Sequence, residues 1–295
     1  MTLFDASKLN LSLMKYRKFA MILSIAAIIV SLVSLSVKGV NYSVDFSGGV
    51  ALQLAFDPPP EDVGEIRNVL ADIGHSQATI QAYDDGSILI RYQDSTAAAQ
   101  RSILEALRDR FGEVTVRKID NVGPVVGQEL RRQAAVAISL SILAILAYMA
   151  VRFRFRFGVA AVAALIHDSI IMLGAYSLTG REISTSFIAA ILTVIGYSLN
   201  DTIVVMDRVR ENWNKLHRDG IVTLVNDSVN QTMSRTINTS LTTLLPVLTM
   251  FFLGGEVISN LAFAFLIGIV VGTYSSIYIA SSIVVEWYLR KPVRS

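Results

Sequence analysis

Apolar residues fall along this chain in six long runs, separated by shorter polar stretches. A helix crossing a bilayer needs about 20 mostly apolar residues. The runs cover residues 19–37, about 133–151, about 158–178, about 183–206, about 236–253 and about 261–285, and they predict six membrane helices. Lys15, Arg17 and Lys18 precede the first run as they would precede a signal peptide. Its apolar core exceeds the usual signal length of about 7–15 residues, so it is read as a retained span.

Between the first two runs the pattern changes. The alternating stretch "GVALQLAF" predicts a strand, and "PPPEDVGEIRNVLADIG" a helix that Pro60 can open. "ATIQAY" and "SILIRY" predict two strands joined at Asp85-Gly86, a hairpin signal. "STAAAQRSILEALRDRFG" predicts a second helix and "EVTVRKIDNV" a last strand, with Gly74 and Gly112 suited to helix ends. The order βαββαβ predicts a ferredoxin-like α+β domain inserted between helices 1 and 2 of an α-helical polytopic membrane protein. Such a fold implies no chemistry by itself.

Composition agrees with a membrane class. Of 295 residues 53% are hydrophobic and 17% charged, and the mean hydropathy is +0.52. The chain has no cysteine, which excludes disulfides and thiolate chemistry. No GxxxxGK[ST] loop suggests nucleotide hydrolysis. A net charge of +2 gives no reason to expect a nucleic-acid partner.

The placement of charge sets the orientation. Outside residues 38–132 there are 16 basic residues. With both termini inside, 15 of them, all but Arg181, face the cytoplasm. They include Lys8, the Arg152, Arg154 and Arg156 cluster, Arg208, Arg210, Lys215, Arg218, Arg235, Arg290, Lys291 and Arg294. The predicted organisation is a cytoplasmic N-terminus (1–18), a span (19–37) and an extracytoplasmic domain (38–132). A block of five spans (133–288) with a cytoplasmic loop at about 207–235 and a cytoplasmic C-terminus (289–295) follow. In that loop Ile221, Leu224, Val225, Ser228, Val229 and Thr232 share one helical face, which predicts an interfacial helix at the cytoplasmic surface.

Polar residues inside the spans are the candidate chemistry. Asp201 precedes Asp207 by six residues, about 9 Å of helix, which places it below the membrane surface. Ionised carboxylates are costly in lipid and face a bundle interior or a wet cavity. Tyr197 lies one turn away, and Ser198, Asn200 and Thr202 crowd the same turn. Arg235 starts the fifth span at the same membrane face as Asp201, as an anchor or as its partner. His167-Asp168, near the middle of the third span, is a buried packing pair or a second proton station, and it lacks the ligands of a zinc site. Gly268 and Gly272 permit close helix approach in the sixth span. "GYSLN" has Asn200 where a serine-hydrolase elbow requires glycine.

The stretches "VDFSGG", "GPVVGQEL", "ALIHDSIIMLG", "GYSLNDTIVVMDRVREN", "SRTINTSLTTLL" and "FAFLIGIVVGTYSSIYIA" resemble the SecD/SecF family of the bacterial protein-export machinery. Together they extend over almost the whole chain. Met206 stands where many relatives carry an aromatic residue. That family is part of the resistance–nodulation–division superfamily of proton-driven transporters. The resemblance implies SecD as a partner of parallel pseudo-repeat design, association with the SecYEG channel and YajC, and contact with exported polypeptide. It implies localisation in the inner membrane, protons as the coupling ion, no other cofactor and no enzymatic activity. By the same resemblance Asp201 and Arg235 lie in a proton path, with His167, Asp168, Tyr197 and Asn200 as further candidates. Gly48, Gly49, Gly123 and Gly127 flank the external domain as candidate hinges. Half of a small-molecule exporter, a passive assembly subunit and a membrane enzyme using His167, Asp168 or Ser198 are the competing readings.

Overall fold

The computed structural model describes residues 11–60, 62–83, 85–153 and 155–290, without the side chains of Lys215, His217, Arg218 and Glu256. Lys8, Arg154, Lys291 and Arg294, four of the cations used for orientation, lie outside the described residues, as do Glu61 and Asp84. The chain divides into two compact units. One is built from the chain up to Asn41 and from Ala137 onward, the other from Tyr42 to Val136.

Among the described residues six helical segments are long and apolar enough to cross a membrane, the number that the hydropathy pattern predicts. Helix α1 (Arg17–Val37) follows a 3-10 turn at Leu13–Tyr16. Its buried positions are Ala20, Ser24, Ser31 and Ser34, which recur at helical spacing on one face. That small-residue face packs on α6 (Phe155–Thr179), where a Cβ added to Gly174 would stand 2.2 Å from the Ser31 Cβ. The Ser34 and Ser177 hydroxyls meet at 2.8 Å. The other face of α1 presents Phe19, Ile22, Ile29 and Val33 outward. The alternation of small-and-polar inside with large-and-apolar outside is what membrane bundles use to bring helices close.

Helix α7 (Thr185–Glu211) runs beyond the predicted end of its span. It packs on α9 (Gly255–Tyr274) through two glycines. A Cβ on Gly268 would lie 2.4 Å from Val194, and one on Gly272 2.9 Å from the Ser198 Cβ. After α9 the chain enters a π-helical segment, Ser275–Ala280, and continues as α10 (Ser281–Arg290). Helix α8 (Leu216–Leu253) is broken only at Gly220, whose φ is 74°. The loop predicted before the fifth span is therefore helical, and it continues into that span without interruption. Its apolar face does not lie on a bilayer surface as predicted: Leu224, Val225, Ser228 and Val229 are buried in protein. Asn226 and Asn230 accept from the backbone N–H groups of Met14 and Leu11, and Asn212 donates to Ser228.

Cationic side chains gather at one end of this bundle. Arg17 pairs with Glu286 at 3.0 Å, Arg152 with Asp207 at 3.0 Å, and Arg156 lies 4.4 Å over the Tyr288 ring. Arg181 packs elsewhere, over Phe263 and Phe251.

The second unit begins within the short strand β1 (Asn41–Tyr42), followed by one turn of helix, α2 (Val44–Ser47). Then come β2 (Gly49–Asp57), α3 (Val63–Asp72), β3 (Thr79–Ala82), β4 (Ser87–Tyr92), α4 (Ala97–Phe111) and β5 (Glu113–Val122). The last four strands form one sheet in the order β3-β4-β2-β5, with every neighbour antiparallel. A register shift between Gln53 and Leu54 marks an irregularity in the β2–β5 pairing. Alternate residues of β2, from Val50 to Phe56, join Ile66 and Leu70 of α3 and Ile103 and Leu107 of α4 in one core. Pro60 does not open α3. The Asp62 carboxylate accepts from the Gly64 N–H at 2.9 Å and starts the helix at Val63, because a side-chain cap satisfies a backbone donor that proline cannot. The Asp85-Gly86 turn forms, with Asp85 accepting from both the Ser87 N–H and its hydroxyl. Helix α5 (Pro124–Arg152) leaves this unit and supplies the second span.

Candidate functional site

Among the described residues of the membrane unit two carboxylates are buried, and their surroundings differ. Asp168, on α6, is 1% exposed. Its Oδ1 lies 2.9 Å from His167 Nδ1. Its Oδ2 accepts from the Ser198 hydroxyl of α7 at 2.6 Å and from the Ser275 hydroxyl of the π-helical segment at 2.8 Å. Three elements are thus tied to one side chain. The network extends through Ser276, whose hydroxyl lies 2.8 Å from that of Thr202 and donates to the Ser198 carbonyl at 3.3 Å. A π turn adds one residue to the helical repeat. Here it sets consecutive serines, 275 and 276, against α6 and α7. The His167 ring lies 6.3 Å from that of Tyr274 in a stacked arrangement, and its Nε2 is buried with no partner among the described residues.

Asp201, one turn beyond Ser198 on α7, is 3% exposed. Its Oδ2 is buried and accepts no hydrogen bond from the described residues. Arg235, on α8, is near enough to attract it electrostatically, yet no ion pair joins the two, and Arg235 itself is exposed on the surface of the chain. Asn200 is exposed as well. The Tyr197 hydroxyl lies 3.3 Å from that of Thr243 on α8 and ties these two helices together. A second hydroxyl pair, Ser240 with Thr273 at 2.7 Å, ties α8 to α9.

The structure therefore brings His167 and Asp168 together with Ser198. It sets Asp201 and Arg235 near each other without pairing them, and turns Asn200 outward. Ser275, Ser276 and Thr202 belong to the same buried network. Ser275 and Ser276 were not evident from the sequence, although two consecutive serines in an apolar span are the signal that marks them. The candidate hinge glycines all lie in the second unit. Among the described residues no cluster of His, Asp and Glu has the makeup of a metal site.

A bundle of six apolar helices with buried carboxylates, carrying an inserted α/β unit between its first two helices, has the build of an integral membrane transport protein. Residues 102–290 match the family described as protein export membrane protein SecD/SecF, C-terminal, and residues 33–60 match the SecD/SecF GG motif. The chain belongs to the SecD/SecF family. It is 46% identical over 285 residues to the protein translocase subunit SecF of Desulfurispirillum indicum, covering 93% of this chain and 90% of that relative. It is 40% identical over 295 residues to the SecF subunit of Petrotoga mobilis, covering 96% of this chain and 97% of the relative. The SecDF subunit of Thermus thermophilus is 45% identical over 263 residues, and there the match takes up only 35% of the relative. The crystal structure of SecDF from that organism, described as a translocon-associated membrane protein, superposes with a TM-score of 0.89 at 40% identity. It covers 97% of this chain and 40% of that one.

Proposed function

We propose that this chain is the SecF-type subunit of a bacterial protein-export complex and couples proton movement to late steps of export. The observation that carries the reading is Asp201: a buried carboxylate with an unpartnered oxygen, in the electrostatic reach of a cation it does not touch. A buried acceptor left without a donor costs about 1–3 kcal/mol. Such a group is relieved by taking a proton or by closing on Arg235, and the two outcomes favour different helix arrangements. A proton crossing 100 mV supplies about 2.3 kcal/mol, enough to bias a two-state element about fifty-fold. Asp168 has the opposite character. With both oxygens engaged, it and His167 act first as the fixed point against which α7 moves.

The partner is SecD, whose spans would cover the exposed polar positions Asn200 and Arg235. The fused SecDF relative, of which this chain matches about a third, supports that pairing. SecYEG, YajC and an unfolded exported polypeptide complete the assembly. The cationic end of the bundle would face the cytoplasm of the inner membrane. The strand order β3-β4-β2-β5, with both helices on one face, supports a ferredoxin-like domain outside it.

The test is pulse-chase export of a secreted precursor in cells depleted of the chain and complemented by it, with and without an ionophore. The chain's contribution to export is expected to vanish when the proton gradient is collapsed. A contribution of equal size without the gradient contradicts the coupling.

A further inference from the structure

At three of the four glycines read as hinges, an added Cβ would meet backbone atoms of the same unit. Gly49 has φ 105°, and a Cβ there would stand 2.4 Å from the Tyr92 carbonyl oxygen. Gly48 has φ 74°, and its Cβ would touch the Pro124 backbone at 3.4 Å. Gly127, in the first turn of α5, would place a Cβ 3.3 Å from the Gly48 nitrogen and 3.4 Å from the Asp45 carbonyl oxygen. These contacts join three backbones: the α2–β2 turn, the end of β4 and the start of α5. Gly123 is different, with nothing within 4 Å of its would-be Cβ and no positive φ. All of these residues belong to one compact unit. From that unit α5 runs on as a single unbroken helix to Arg152. In the membrane half of α5, Met149 is the one buried residue among those described.

We propose that Gly48, Gly49 and Gly127 form a fixed joint. The joint makes the external unit and the start of α5 one body, so that motion between domain and membrane is carried along α5 rather than absorbed at the glycines. Glycine is required on both sides for one physical reason. Backbone against backbone leaves no soft side chain to give way, and positive φ at residues 48 and 49 disfavours any Cβ. A joint of this kind transmits force; a hinge dissipates it. The proposal rests on the export reading, because it assigns the joint a part in that work.

Hydrogen exchange on the purified chain is a direct test. The Gly48 and Gly127 N–H groups donate to the Val44 and Gly123 carbonyls at 2.9 and 3.0 Å. The expected result is slow exchange at both, in step with the strands of the same unit, and faster exchange at both in Gly127→Val. Exchange at both in the parent chain far faster than in the strands would show a hinge and overturn the joint.

A size series supplies the converse. Gly127→Ala is expected to lower export in part and Gly127→Val to abolish it, while protease resistance of the external unit persists and Gly123→Ala exports normally. Normal export by Gly127→Val would also overturn the proposal. Cells lacking the chain report separately on the export reading: if they export normally, that reading fails, while hydrogen exchange still reports on the joint.

Discussion

Asp168 and Asp201 are buried to the same degree on adjacent helices, and they are held in opposite ways. Asp168 accepts two hydroxyl hydrogen bonds and meets an imidazole. Asp201 keeps one oxygen without a donor and has its cation at a distance. A buried acid that is fully engaged resists change, because each hydrogen bond must be lost before it moves. A buried acid left without a donor is close in energy to its alternatives. Ser198, which donates to Asp168, lies one helical turn from Asp201, so the clamp adjoins the carboxylate proposed as a switch, and burial alone would not have told them apart.

The comparison is broken most severely at the clamp. Asp168→Ala leaves Ser198, Ser275 and His167 without their shared acceptor. The expected loss is on the order of 3 kcal/mol or more, read as a fall in membrane abundance and in the thermal midpoint of the purified protein. Asp168→Asn, which keeps one acceptor, should recover part of it. The same measurements test the packing beside the clamp. Gly174→Ala would drive a methyl into Ser31 and is expected to cost about 1–3 kcal/mol, whereas Gly196→Ala, with nothing within 4 Å, should be nearly neutral.

A third carboxylate, in the second unit, sharpens the contrast. Asp85 accepts from the Ser87 hydroxyl and N–H and is paired with Arg117. The Ser87 hydrogen bonds, followed by the Arg117 charge, hold its acid below the usual carboxylate range. A folded-state value below the unfolded one means that Asp85 stabilises the hairpin above about pH 4, and that this contribution is lost as pH falls through the folded value. Because Asp85 is half exposed, Asp85→Asn should cost no more than about 1 kcal/mol. Hydrogen exchange at residues 85–88 should quicken in the variant at pH 6, and the difference from the parent chain should shrink at pH 3.

The six spans were legible because a run of about 20 apolar residues is a local property, independent of what surrounds it. The order of strands and helices in the inserted unit was legible for the same reason, through alternation and turn residues. The helix over residues 221–235 was half legible. Its amphipathic face was read correctly, but the partner of that face was taken to be lipid. Its actual neighbours are the N-terminal turn, α7 and α10, which are distant in sequence. The clamp was legible only as His167-Asp168. Nothing in the sequence says that Ser275 meets Asp168, since that contact depends on a π turn with no hydropathy signature. The nearness of Asp201 and Arg235 followed from two antiparallel neighbouring spans; the missing ion pair depends on side-chain placement that no pattern encodes.

The most direct test of the switch is Asp201→Asn as the sole copy, with pulse-chase export, membrane abundance and recovery of the assembled complex measured together. The substitution removes a charge and keeps the shape, and stability should change by less than about 1 kcal/mol. The account predicts normal abundance and assembly with slowed export. Export at the parental rate, at matched abundance, would contradict it.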